Sequence, residues 1–206
     1  MNKYIDLLKL KIKGYLVVDD FFPKEICTKM RYDALNHYEY MPMKKTYTTY
    51  WNYRYKDFDN CDYNDSLKYI ADTYVASKIS LVDASTYKRS WSFLYDNEGD
   101  GVGAHADPSY INVNIWVTPD ECVEDHNKNG LKLYHRKAPK EWTWDQYNRD
   151  LPLIKEFLMG SKYDIIPYKC NRAIIFEGNT FHTTDNVHMK PGHNNKRINY
   201  TFLYDG

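Results

Sequence analysis

From about residue 90 onward the chain is a series of short apolar runs cut by turns, and this pattern restricts it to a β-rich core. The runs are WSFLYD, YINVNIWVTP, GLKLYH, YDIIPY, RAIIFEG and RINYTFLYD. Each has strand length, and turn residues separate them. The first part of the chain has a different character. Residues 2 to 13 carry the spacing of a short amphipathic helix stopped at Gly14. YLVVDDF follows as a buried strand, and Pro23 opens a second helix with Ile26, Met30 and Ala34 on one face. In KKTYTTYWNYRYKDF the residues alternate. Tyr47, Thr49, Trp51, Tyr53 and Tyr55 share one face of a strand, and Thr48, Tyr50, Asn52 and Arg54 the other. Asp65 is placed to cap a third helix whose Leu67, Ile70, Ala71, Tyr74 and Val75 point inward. Helices first and a many-stranded antiparallel core afterwards make an α+β fold.

With 206 residues the chain suits one domain, 1–206. Residues 1–90 read as a helical and strand support region and 91–206 as the core, with an insertion at 121–160. Within it, PKEWTWDQYNRDLPLIKEFLMG at 139–160 is long for a plain connection, as lids and binding loops are. Trp142, Trp144 and Tyr147 there either stack on a substrate or pack the insertion onto the core. Basic and acidic residues balance at 28 each, so no electrostatic argument favours nucleic acid or an anionic membrane as partner. The aromatic and basic mixture around Tyr47 to Tyr55 invites a stacked-base reading, but its alternation already explains the rings as one buried face. Cys27, Cys61, Cys122 and Cys170 are far apart with no CxxC pair and read as reduced thiols in a cytoplasmic protein. No apolar run reaches membrane-spanning length, and the charged N-terminus lacks the apolar core of a signal peptide.

Three segments carry chemistry. The first is GDGVGAHADPSY, in which His105 and Asp107 stand two residues apart and face one side of an extended backbone. The plain alternative is a turn capped by Asp107 with His105 exposed. The second is NRAIIFEGNTFHTTD, an apolar strand running through a Gly178-Asn179 turn to His182. His188 and His193 are rivals for His182, but both lie in the polar, loop-like DNVHMKPGHNNK. The third is KRINYTFLYDG, where Arg197, Asn199 and Thr201 share one face of a core strand and Ile198, Tyr200 and Phe202 the other. A buried arginine needs a carboxylate or phosphate, and a structural ion pair would satisfy it as well as a ligand would. Taken together, His-x-Asp and a distant His match the facial triad that holds iron(II) and leaves positions open. A guanidinium on the following strand can grip a diacid through two parallel hydrogen bonds. Zinc accepts the same three ligands, but it gives Arg197 no task.

This pattern resembles the iron(II)- and 2-oxoglutarate-dependent dioxygenases, and more closely the small prolyl-hydroxylase-like branch of bacteria and phages. The similar segments are YLVVDDFFPKEIC, SFLYDNEGDGVGAHADPSYINVNIWVTPD, GLKLYHRKAP, NRAIIFEGNTFHTTD and RINYTFLYDG, in the family's order across most of the chain. The resemblance implies a double-stranded β-helix, a jelly roll of the cupin type, flanked by N-terminal helices. It implies Fe(II) bound by His105, Asp107 and His182, and 2-oxoglutarate held through its distal carboxylate by Arg197. Tyr95 stands where the family often has a tyrosine in contact with the cosubstrate, or else it is a core tyrosine. Thr201 shares the face of Arg197 and is taken with it as a cosubstrate-binding residue. Asn112 and Asn114 alternate with apolar residues; an amide facing the iron would bind cosubstrate, the role given to Asn114, or orient a ligand, and the alternative is a polar outer face, with the inward side left open. The stretch between His182 and Arg197 is longer than in many prolyl hydroxylases.

The implied activity is hydroxylation of a protein side chain such as proline, or of a small molecule, using O2 and releasing succinate and CO2, with ascorbate as an accessory reductant. The expected partner is a small-molecule or peptide substrate; no sequence feature sets an oligomeric state. The competing readings are a non-catalytic jelly-roll binding module and a zinc hydrolase using the same ligands.

Overall fold

A computed structural model describes residues 3–44, 50–59, 61–79 and 82–206. Helix α1 (Lys3–Lys13) stops where expected. Gly14 has a φ of 81°, the left-handed conformation that a residue without Cβ adopts freely, and its N–H closes the last turn on the Leu10 carbonyl. Strand β1 (Tyr15–Val18) is shorter than YLVVDDF suggested. It ends at Val18, and the carboxylate of the next residue, Asp19, pairs with Arg172. Helix α2 (Lys24–Asn36) begins directly after Pro23 and buries Cys27, Met30 and Ala34 along one face. Strands β2 (Met41–Lys44) and β3 (Tyr50–Asp57) follow. The alternation proposed for Tyr47, Thr48 and Thr49 falls outside the described residues.

Helix α3 (Asn64–Ile70) corrects one expectation. Tyr63, not Asp65, occupies the cap position and makes no side-chain cap. Asp65 sits in the first turn, where a carboxylate meets the positive end of the helix dipole without capping it. The helix continues as a π-helical turn, Ala71–Ala76, and so keeps Leu67, Ala71 and Val75 buried in one line.

Strands β4 (Tyr87–Tyr95), β5 (Glu98–Gly99), β6 (Ile111–Trp116) and β7 (Leu131–Lys137) come next. After them lie α4 (Trp144–Asn148), α5 (Leu151–Leu158), β8 (Tyr163–Ile166), β9 (Ala173–Glu177), β10 (Thr180–Thr184), β11 (Val187–His188) and β12 (Ile198–Tyr204). Seven strands form one antiparallel sheet in the order β1-β9-β6-β12-β4-β3-β2. A second sheet has the order β10-β7-β8, and β11 pairs with β5. Strand β7 lies at the centre of the second sheet, so the part of the 121–160 stretch that leaves the sheets is its helical end.

The large sheet is covered on both faces. Alternate residues, among them Val113, Ile115, Ile175, Tyr200 and Phe202, pack with Met30 of α2 and Leu67 of α3. The opposite face carries Tyr95, Trp116, Ile174 and Phe176, which meet Leu131, Leu133 and Ile166 of the smaller sheet. Every residue of β6 and β12 is buried, as expected of strands covered on both sides. The side chains of Asn112, Asn114, Asn199 and Thr201 therefore sit inside the protein and not on a wet face. Among the described residues, no helix is long and apolar enough to cross a membrane.

Candidate metal and dicarboxylate site

His105 and Asp107 lie on the loop between β5 and β6, and His182 lies in β10. An isolated antiparallel bridge joins the two histidines. The His105 N–H donates to the His182 carbonyl at 3.0 Å, and the His182 N–H donates back at 2.9 Å. The Asp107 N–H donates to the Gly178 carbonyl in the β9–β10 turn at 2.8 Å. That turn runs so close to the loop that a Cβ on Gly178 would lie 2.3 Å from the Ser109 carbonyl oxygen. Between the two loop residues, Ala106 is held from the helical insertion: its N–H donates to the Tyr147 carbonyl, and its carbonyl accepts from Asn148 Nδ2 at 2.8 Å.

The two imidazoles are fixed in the same tautomer. His105 Nδ1 is 2.7 Å from the Gly103 carbonyl, and His182 Nδ1 is 3.0 Å from the Thr180 carbonyl. A carbonyl only accepts, so each Nδ1 carries the proton and each Nε2 presents a bare lone pair. Both lone pairs turn toward Asp107. His182 Nε2 is 3.5 Å from one carboxylate oxygen and His105 Nε2 is 3.8 Å from the other. These gaps are too long for hydrogen bonds. One ion with ligand bonds of roughly 2 Å would bridge them. The three ligand atoms all lie within 4.8 Å of one another, and no other such group of His, Cys, Asp or Glu exists among the described residues. His182 is 3 % exposed. Burial, then the neighbouring His105, push its pKa down to about 4. The ring is therefore neutral near pH 7, the form that binds a metal. Phe176 packs edge-on against it, with ring centres 4.9 Å apart.

Asn112 answers the question left open on β6. Asn112 and Asn114 both face inward, and it is Asn112 whose Nδ2 donates to Asp107 Oδ2, at 2.5 Å. Its own Oδ1 accepts from Ser109 Oγ at 3.2 Å. The amide thus fixes one lone pair of the carboxylate and leaves the rest free. Asn114 instead accepts from Asn199 Nδ2 at 3.2 Å. Thr201 lies opposite Asn114 across the β12–β6 pair and is buried.

Arg197 is fully buried and, among the described residues, has no carboxylate partner. Its Nε donates to the Asn129 carbonyl at 3.0 Å and its Nη1 reaches Asn199 Oδ1 at 3.4 Å, but Nη2 has no hydrogen-bond partner among the described residues. The guanidinium carbon stands over three rings: Tyr95 at 4.5 Å, Trp116 at 5.4 Å and Tyr168 at 5.8 Å. Among the described residues, the structural ion pair considered for this arginine is not formed. An aromatic cradle offsets part of the cost of the buried cation, and one face of the guanidinium fork is left for an anion. Tyr95 OH is 3.0 Å from Thr184 Oγ1, and burial pushes its phenol pKa up. Tyr95 is thus a neutral ring under the guanidinium.

His105 and Asp107 open onto a cleft of about 980 Å³. Tyr53, Tyr55, Trp91 and Phe93 of β3 and β4 form one wall, and Trp144 and Arg149 stand on another. Trp142 takes the packing role, against Phe157 and Phe181. His188 and His193 stay away from the triad; His193 Nε2 instead lies 3.0 Å from the Leu35 carbonyl. The sequence reading missed Trp116, Asn129 and Tyr168 as neighbours of Arg197. The alternation of β6 already put Trp116 on the face of Asn112 and Asn114. Nothing local marked the other two.

Comparison with solved structures bears on the fold. The carbocyclase SnoK of nogalamycin biosynthesis, a non-haem α-ketoglutarate-dependent enzyme, superposes with a TM-score of 0.69 over 99 % of this chain and 83 % of its own, at 11 % identity. An oxidoreductase of the 2OG-Fe(II) oxygenase family from Burkholderia pseudomallei gives 0.60 over 100 % and 91 %, also at 11 % identity. The fold is that of the 2-oxoglutarate- and iron-dependent oxygenases. A prolyl-4-hydroxylase from Pseudomonas putida shares this oxygenase fold with a TM-score of 0.56, covering 99 % of both chains at 9 % identity. No protein-family model and no curated protein matches the sequence. At such identities the oxygenase fold is kept by the pattern of buried strands, and any shared chemistry rests on the site residues themselves.

Proposed function

We propose that this chain is an Fe(II)- and 2-oxoglutarate-dependent oxygenase that hydroxylates a small-molecule or peptide substrate with release of succinate and CO2. The observation that carries the reading is a pair of complementary donor sets in one protein interior. Two bare imidazole nitrogens converge on a carboxylate that Asn112 holds and neither histidine hydrogen-bonds, and among the described residues a buried guanidinium has no carboxylate partner. The donor set fits ferrous iron with positions left open. The unpartnered Nη2 of Arg197 fits a carboxylate. When bound, iron supplies the O2 chemistry that couples decarboxylation of 2-oxoglutarate to oxidation of a substrate C–H bond.

The protein's own residues supply binding and placement. His105, Asp107 and His182 hold the metal on one face, and Asn112 keeps the Asp107 carboxylate turned toward it. Arg197 holds the distal carboxylate of 2-oxoglutarate, with Tyr95 beneath the guanidinium. Asn114, Asn199 and Thr201 give the same interior face its polarity. The substrate enters by the cleft beside His105, along the aromatic wall of β3 and β4. In this reading the two facing sheets are a double-stranded β-helix, or jelly roll, and residues 1–206 form one oxygenase domain. The test is succinate formation from 2-oxoglutarate with Fe(II), O2 and ascorbate, without added substrate. Slow, iron-dependent succinate release supports the reading. Metal-loaded protein that neither binds nor consumes 2-oxoglutarate returns the chain to a zinc hydrolase or a non-catalytic jelly-roll module.

A further inference from the structure

Cys27, Cys122 and Cys170 stand far apart in the sequence, yet the fold gathers them around Arg31. Two junctions bring them together. Asn171, with a left-handed φ of 59°, clamps the residues that lead into α2. Its Oδ1 accepts from the Phe22 N–H and its Nδ2 donates to the Phe22 carbonyl, both at 2.8 Å, while its own carbonyl accepts from the Phe21 N–H at 3.0 Å. Cys170, the residue before it, donates its N–H to Asp120 Oδ1 at 2.6 Å, which fastens it to the short helical turn Asp120–Cys122. Cys27 lies in the first turn of α2 and is buried in the main core; Cys170 packs against that core and is half-buried. The two thiols hydrogen-bond to each other. Arg31 follows Cys27 by one helical turn, on the same face of α2. Its Nη2 donates to the Asn194 carbonyl and its side chain reaches the Cys122 sulfur. Its buried Nε has no hydrogen-bond partner among the described residues. A cation beside a thiol favours the thiolate, the form that reacts. The hydrogen bond from Cys170 holds the Cys27 thiol below its ordinary pKa, and the charge of Arg31 acts in the same direction, against burial. The same contact pushes Cys170 up. The pair is unequal, with one sulfur suited to attack and the other to resolve.

We propose that Cys27 and Cys170 are a redox-active pair, a modification site at which hydrogen peroxide closes a disulfide between α2 and the turn that leads into β9. The Cys27 sulfur attacks one peroxide oxygen, the O–O bond breaks and water leaves, so that Cys27 becomes a sulfenic acid. The Cys170 sulfur then attacks the Cys27 sulfur, the S–O bond breaks, and a second water leaves with the Cys170 proton. The thiol pair gives up the electrons that the peroxide gains. The new bond ties the helical cover to the large sheet and closes a loop containing most of the chain, the case in which a cross-link most restricts the unfolded state. None of these residues belongs to the metal and dicarboxylate site, so the proposal stands apart from the oxygenase reading.

The experiment treats the folded, full-length protein with hydrogen peroxide after chelation, so that no iron diverts the oxidant. Free thiols are then alkylated, and the unreduced digest is mapped by mass spectrometry. The expected result is a Cys27–Cys170 linked peptide. The link is lost in Cys27→Ser and in Cys170→Ser, and it is kept in Cys61→Ser, whose thiol donates to the Phe58 carbonyl away from the cluster. In Cys170→Ser the Cys27 sulfenic acid has no resolving partner and is captured by dimedone. The wild-type mapping needs no variant to fold. A protein whose Cys27 and Cys170 both remain alkylatable overturns the proposal. So does a Cys27–Cys122 link, a link that forms only in urea, or a Cys170→Ser protein that folds and gives no dimedone adduct at Cys27. A second readout is thermal unfolding. Oxidised wild type is expected to melt roughly 5 °C or more above the reduced protein, with the gain reversed by dithiothreitol. An unchanged or lower melting temperature in the cross-linked protein overturns the proposal, because the bond would then distort the native contact.

Discussion

His105 and His182 exchange both backbone hydrogen bonds, at 3.0 and 2.9 Å, although they stand on elements far apart in the chain. This pairing places the two imidazoles on the same side, with ring centres 4.3 Å apart. It also joins the β5–β6 loop to the smaller sheet. The approach of the two imidazoles is therefore set by main-chain pairing.

Removing one ligand should cost far more than loosening one. His182→Ala is expected to abolish measurable Fe(II) binding by equilibrium dialysis. Asn112→Ala leaves all three ligands in place but frees the Asp107 carboxylate, and roughly a 10–100-fold loss of metal affinity is expected. Wild-type affinity in the asparagine variant would mean that the amide at 2.5 Å has no orienting role.

Arg197→Met should separate ligand binding from stability. Breaking a buried ion pair costs about 3–5 kcal/mol because it strands the remaining charge. Arg197 has no such partner among the described residues, so the methionine variant should lose less than about 2 kcal/mol in urea unfolding of the ligand-free protein. Its 2-oxoglutarate affinity should fall by about 100-fold or more, with Fe(II) binding retained. A loss of stability typical of a broken ion pair would point to a counter-anion inside the protein.

Gly178→Ala places a methyl group against the Ser109 carbonyl, 2.3 Å from its oxygen. The turn must move away from the loop that carries Asp107, whose N–H it accepts. The expected outcome is a stability loss of about 1–3 kcal/mol by chemical denaturation, together with weaker Fe(II) binding. Normal metal affinity in the alanine protein would show that this close approach does not position Asp107.

Asp19 ties β1 to the segment leading into β9. Hydrogen bonds from Arg172 and then Lys169 hold its carboxyl near pKa 2, below the usual value of 3.8. A folded-state pKa below the unfolded one adds stability that is present above the unfolded pKa and disappears as pH falls through the folded one. The carboxylate is about one-third exposed, so screening limits the effect to under about 1 kcal/mol. Asp19→Asn should be slightly less stable than wild type at pH 7, and the two unfolding curves should converge as pH falls below about 2. A difference that persists well below the folded-state pKa would assign the effect to something other than this charge.

Most of the architecture was legible because strand periodicity and turn residues are local signals. Gly14, Pro23 and the alternation through β6 and β12 placed their elements correctly. Asp65 misled because a carboxylate at a helix start can serve as a cap or simply sit in the first turn, and the sequence does not separate the two. His105, Asp107, His182 and Arg197 were legible as types in a pattern. The convergence of the first three was not, because it depends on the His105–His182 bridge and on the close approach at Gly178. The polar stripe of Asn112 and Asn114 shows the same limit. Alternation puts both on one face, but only the packed structure shows that face turned inward and Asn112 against Asp107.

The most direct test is a crystal structure of the protein grown anaerobically with Mn(II), a redox-silent substitute for iron, and 2-oxoglutarate. The account predicts one ion bound by His105 Nε2, His182 Nε2 and an Asp107 oxygen, with the far carboxylate of the keto acid against the Arg197 guanidinium. An ion seated elsewhere, or a keto acid whose distal carboxylate avoids Arg197, would contradict it.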